Sequence, residues 1–165
     1  MRPSSALAVV RALELQGVRA IIVGGYAVIA HGVLRSTHDL DLVLDFADPP
    51  LAAGLAAIGA LGFKPRAPVP ITDFADTAKR IRWQREMDMQ VFGLWRDHPG
   101  GMPESLDIFI DHPFDFDQAW RDTLVSEVQG QALHFVDLDR LLAMKRAAGR
   151  DKDLADIRQL EQGRG

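Results

Sequence analysis

The chain is 165 residues long, carries 19 basic and 23 acidic residues for a formal net charge of −4, and contains no cysteine. With 47% apolar residues, that length predicts one domain, residues 1–165, with a core of its own. Disulfides, thiolate metal sites and thiol nucleophiles are excluded, and the mildly acidic balance argues against broad, sequence-independent nucleic-acid binding.

In chain order, Ser4 or Ser5 is expected to cap a first helix over 6–16 that Gly17 ends. Arg2, Arg11 and Glu14 interrupt its apolar residues, so it lacks a secretory h-region, and no apolar run approaches the ~18 residues that span a bilayer. A cytoplasmic location with no membrane partner is expected. Residues 19–23 read as a strand, 26–31 as a short helix launched by Gly24-Gly25, and 39–44 as a second strand. Asp48-Pro49-Pro50 caps a helix that Gly62 stops; 63–70 is a proline-punctuated connection; Thr72 or Asp73 caps a charged helix to about 86. Strands are expected over 89–95 and 106–110, a helix over 115–122, and a hairpin of 124–128 with 132–136. Asp137 caps a helix over 138–148, and Asp151 or Asp153 starts a last one to 162. Interleaved strands and helices predict an α/β (α+β) fold, a mixed sheet flanked by helices, with 137–162 as a short C-terminal helical segment.

The chemistry centres on Gly24-Gly25 and, thirteen residues later (26–38), Asp39-Leu40-Asp41. In a strand, residues i and i+2 share a face, so Asp39 and Asp41 project together while Leu40, Leu42 and Leu44 face the other way. Two adjacent carboxylates repel, and folding has no use for that; a divalent cation such as Mg²⁺ (or Mn²⁺) does, because it takes hard oxygen ligands. Asp107, inside the apolar strand Leu106–Ile110, is the natural third carboxylate if that strand neighbours the first two. Three such groups suit a phosphoryl-transfer site, the third able to take the proton of an attacking hydroxyl. Side-chain-free Gly24 and Gly25 let backbone N–H groups approach a triphosphate.

On Val23-Gly24-Gly25, Asp39-Leu40-Asp41 and Asp107, the chain resembles the nucleotidyltransferase superfamily that includes DNA polymerase beta. The Arg35-x-Thr37-x-Asp39-x-Asp41 run and the Leu142…Gly149-Arg150-Asp151-Lys152-Asp153…Asp156-Ile157 run resemble, more narrowly, the small AbiEii-type toxin nucleotidyltransferases of toxin–antitoxin pairs. The resemblance spans about residues 18–160 and implies a nucleotidyltransferase-like fold and a Mg²⁺-dependent enzyme. That enzyme would move a nucleoside monophosphate from an NTP to a hydroxyl of an RNA, a protein or a small molecule, with an antitoxin or a second copy as partner. Residue by residue, it implies that Gly24 and Gly25 hold phosphates, Asp39, Asp41 and Asp107 hold metal, and Asp107 serves as base. It also implies that Arg35 and Thr37 touch phosphate or ribose, and that Lys145 reaches the triphosphate. The alternative is a catalytically silent nucleotide- or partner-binding module of the same fold. Structural readings stand beside several of these: Asp151 and Asp153 complement a helix dipole, Lys152–Asp156 forms an i,i+4 pair, and Lys79, Arg80, Arg82 and Arg85 line a solvated helix face.

Overall fold

In the computed structural model, which describes residues 1–47, 50–99 and 101–163, apolar runs and caps resolve into strands and helices largely where the sequence places them. Helix α1 (Pro3–Glu14) leads to β1 (Ala20–Val23), α2 (Gly24–Ala30) and β2 (Asp39–Leu44). Then come α3 (Pro50–Ala60), β3 (Lys64–Pro65), a 3-10 turn (Ile71–Ala75), α4 (Thr77–Met87), β4 (Val91–Arg96) and β5 (Glu104–Phe109). Helix α5 (Phe116–Arg121), the hairpin β6 (Leu124–Val128) and β7 (Gln131–Phe135), α6 (Leu138–Ala148) and α7 (Asp151–Gln162) complete the chain. The strands form one seven-stranded sheet in the order β3-β4-β5-β2-β1-β7-β6. It is mixed: β2 runs parallel to β5 and β1 to β7, while the remaining neighbours are antiparallel.

Several starts differ from expectation, and three of them have a local cause. Helix α1 begins at Pro3, with proline in its first turn, and Ser5 is buried and bonded to Glu104 instead of capping. The charged helix is capped by Asp76, which accepts from the Ala78 and Lys79 amides, because Thr72 and Asp73 are taken up in the 3-10 turn that precedes it. The hairpin loop is two residues, Gln129 (φ 53°) and Gly130 (φ 75°), so β7 starts at Gln131. Two consecutive positive φ values match the twist of the flanking strands and fix that register. The expected Asp48-Pro49 cap lies outside the described residues.

The two sheet faces differ. Leu40, Leu42 and Leu44 are fully buried, and α1 lies on that side, its Ala6 and Leu7 meeting Ile22 and Leu40 around one groove. Helix α3 packs tightly on the end of α1: a Cβ at Gly54 would sit 2.8 Å from Val18 and 3.0 Å from Leu13. Helix α6 serves the opposite face, where Leu141 and Met144 meet Val23 and Phe109. Glu104 ties the chain start to the sheet: it accepts from the Arg2 amide (3.1 Å) and from Arg96 Nε (2.8 Å). Among the described residues, no helix is long and apolar enough to cross a membrane.

Candidate active site

Strand alternation and strand pairing together build the site. Asp41 lies opposite Asp107 in the parallel β2–β5 pair, opposite Val23 in β1, and Gly93 of β4 lies opposite Asp107. A single row, Val23–Asp41–Asp107–Gly93, thus crosses four strands, with Asp39 one pleat away on the same face beside Ser105. In-register neighbours point to one side of a sheet, so the three carboxylates share the face opposite Leu40 and Leu42.

The glycine pair is explained by what presses on it. Gly24 has φ +63°, and a Cβ there would lie 2.0 Å from Asp41 Oδ2; a Cβ on Gly25 would lie 2.3 Å from Thr37 Oγ1 and 3.5 Å from Arg35 Nη2. The Gly25 N–H donates to the Asp41 carboxylate. Thr37 donates to the Asp39 carbonyl at 3.3 Å, so the segment before β2 is bonded to β2 itself. Burial, then the charges of Asp107 and Asp39, push Asp41 up to about 6, against the opposing pull of the Gly25 amide and Lys152. Asp107 is raised by burial and by Asp39, with Arg66 and Lys152 opposing. Disfavoured ionisation of Asp41 and Asp107, with the Asp39 carboxylate beside them, is what a bound cation would relieve.

The donor chemistry therefore fits a hard divalent ion. The side chains as they stand do not gather into a cage: among the described residues no three His, Asp or Glu side chains are placed to hold one metal ion. Asp41 is turned onto the glycines, whereas Asp39 and Asp107 open into a cavity of about 560 Å³ on the β4–β5 side. A cage is not what Mg²⁺ at a phosphate site requires, since it takes one or two carboxylates and fills its shell with water and substrate oxygens.

The remaining candidates divide. Lys145 lines a small cleft with Gly24 and Asp41, but its amine is buried between Asp156 (2.7 Å) and Asp153 (3.2 Å). Arg35 pairs with the same Asp156 at 2.5 Å, and Arg150 with Asp153 at 2.6 Å. This chain of ion pairs clamps α6, α7 and the Arg35 segment together beneath the glycines. Asp156 consequently turns inward, and the expected i,i+4 pair with Lys152 gives way to Lys145 and Arg35. Lys152, exposed at the start of α7, is instead the lysine whose charge acts on both Asp41 and Asp107. Arg80 is buried, stacked 4.1 Å over Phe46 and donating to the Phe74 carbonyl, so it is no part of a solvated basic face. Sequence reasoning passed over Arg66 and Gly93; a glycine in mid-strand was the available signal.

No family model matches the sequence, and a search of curated proteins returns no match. Solved structures do match. A lincosamide antibiotic adenylyltransferase, LnuA, in its lincomycin-bound form, aligns over 98% of this chain and 97% of its own, with TM-score 0.52 and 12% identity. The antibiotic-resistance factor ANT(2'')-Ia aligns over 99% and 86%, with TM-score 0.56 and 13% identity. An antigenic nucleotidyltransferase-like protein from Paracoccidioides brasiliensis aligns over 97% and 76%, with TM-score 0.51 and 18% identity. The fold is nucleotidyltransferase-like.

Proposed function

We propose that the chain is a nucleotidyltransferase that moves a nucleoside monophosphate from an NTP to an acceptor hydroxyl and releases pyrophosphate. The observation that carries this is the row of Asp41 and Asp107 across paired strands, with Asp39 beside it and a glycine pair that leaves room for nothing but backbone. Gly24 and Gly25 admit the phosphates; Asp39, Asp41 and Asp107 hold Mg²⁺ or Mn²⁺, which when bound supplies charge neutralisation at the phosphoryl oxygens. Asp107, its acidity weakened by its surroundings, accepts the proton of the attacking hydroxyl. Lys152 steadies the polyphosphate charge from the edge of α7. Arg35, Thr37 and Lys145 act by holding the glycine segment and α7 in place, which is the use their bonds support.

A silent nucleotide-binding module is the second reading, favoured by the carboxylates' not being gathered around one point. Incubation with each α-labelled NTP, Mg²⁺, total cellular RNA and lysate separates the two. Label on a product, with pyrophosphate released and both lost in Asp107→Asn, supports the transferase; saturable NTP binding with no release over that panel supports the module. The narrower AbiEii-type toxin reading rests on the Arg35–Asp41 and Leu142–Ile157 runs. Growth arrest on expression, relieved by Asp39→Ala, is its test.

A further inference from the structure

In-line displacement puts the leaving and attacking oxygens on opposite sides of the phosphorus. If the polyphosphate lies over Gly24 and Gly25, at the β1 side of the carboxylates, the attacking hydroxyl arrives from the β5–β4 side. The cavity of about 560 Å³ lies there, with Asp39 and Asp107 on one wall and Arg66, Ser105 and Met89 among its other lining residues. Its size suits a small molecule, within the roughly 300–1,000 Å³ of ordinary ligand sites.

Arg66 is the cation of that cavity. Its Nη2 donates to Ser105 Oγ at 2.9 Å, and among the described residues no carboxylate pairs with it. Gly93 is what lets it cross the sheet: a Cβ there would lie 3.0 Å from Arg66 Cδ and 3.4 Å from Asp107 Oδ1. The φ of Gly93 is not in the left-handed region, so backbone conformation does not explain the glycine; close approach of the arginine does. A guanidinium is a planar fork of donors matched to carboxylate or phosphate oxygens. With Asp39 and Asp107 neutralised by a cation, it is left as uncompensated positive charge facing the acceptor.

We propose that this cavity is the acceptor subsite and that Arg66 selects a small hydroxyl-bearing acceptor carrying a phosphate or carboxylate, a reading that rests on the proposed transferase function. A cationic amino sugar is correspondingly disfavoured.

The test uses the full chain labelled with ¹⁵N, in saturating Mg²⁺, and follows the Arg66 Nε–Hε signal during titration with glycerol 3-phosphate, glycerol and glucosamine. Glycerol 3-phosphate is expected to shift that signal saturably, with affinity at least about tenfold above either neutral glycerol or glucosamine. Binding should fall about tenfold or more in Arg66→Gln and partly recover in Arg66→Lys. Gly93→Ala, which leaves Arg66 in the chain but makes its stem give way by a few tenths of an ångström, should weaken binding to a smaller degree, thermal melts confirming that each variant folds. An unmoved Arg66 signal, equal affinity in Arg66→Gln, or preference for glucosamine would each overturn the proposal. The Gly24 and Gly25 amides report NTP in the same spectra. If they respond to NTP while Arg66 ignores every probe, the acceptor proposal fails and the function survives; if they ignore NTP, the function fails.

Discussion

Replacing Asp41 with Asn should stabilise the protein, and by an amount that depends on pH. In the folded chain burial and the neighbouring Asp107 and Asp39 raise the Asp41 carboxyl from 3.8 to about 6. A raised acid costs stability when ionised: the cost is complete above the folded pKa, shrinks as pH falls, and is gone below the unfolded value. The penalty is on the order of 3 kcal/mol near pH 8, roughly half of that near pH 5 and small by pH 4. Asn cannot ionise, yet its Oδ1 can still accept from the Gly25 N–H. For a chain of this size the gain corresponds to a Tm increase on the order of 6–12 °C near pH 8. Urea or thermal unfolding of both proteins across that pH range is the assay, and added Mg²⁺ should narrow the gap by stabilising the native carboxylates. Loss of stability in Asp41→Asn near pH 8, or a gap that does not change with pH, would refute the electrostatic picture of the site.

Other substitutions follow from the same geometry. Gly24→Ala has to adopt a positive φ, which alone costs about 1–2 kcal/mol, and drive a methyl into Asp41, so denaturant titration should show a loss at least that large and calorimetry no measurable NTP binding. Glu104 runs the other way from Asp41. Burial alone would raise it, but Ser5, the Arg2 amide and Arg96 hold it at about 2, giving about 3 kcal/mol of stability present above its unfolded pKa of 4.5 and lost as pH falls toward 2. Glu104→Gln should therefore lower stability near pH 7, with the difference from wild type closing below about pH 4, as acid titrations followed by circular dichroism would show. Lys145→Met removes a buried cation from two buried acids and should cost about 3–5 kcal/mol. Lys152→Ala, at an exposed position, should leave stability within about 0.5 kcal/mol but weaken NTP binding, a contrast that calorimetry and melts on the two variants would resolve.

Much of the fold was legible because its boundaries carry local chemistry. Strand β2 and helix α6 occupy the expected residues, the first marked by Asp/Leu alternation, the second by Asp137 bonding the Arg140 amide and by Gly149 at φ 61°. Local signals misled at the charged helix: Thr72 or Asp73 is the expected cap, but both lie in the 3-10 turn whose Phe74 is buried in the core, and Asp76 takes the role. The glycines, Asp39 and Asp41 could be read as a constellation because they lie close in sequence. Their relation to Asp107 depends on parallel pairing across sixty-odd residues, which alternation alone does not state. The assignment of partners to Lys145 and Lys152 was beyond reach for a similar reason. Which lysine turns inward shows only once α7 is packed on α6 and Lys145 meets Asp153 and Asp156, and Arg66 becomes visible only when β4 is laid beside β5.

The most direct test of the central claim is anomalous scattering from Mn²⁺ in crystals grown with a non-hydrolysable NTP analogue. Manganese is expected within coordination distance of carboxylate oxygens from Asp39, Asp41 or Asp107, next to phosphate oxygens that lie over Gly24 and Gly25. Manganese and nucleotide bound away from that row of carboxylates, or a nucleotide bound with no metal at them, would contradict it.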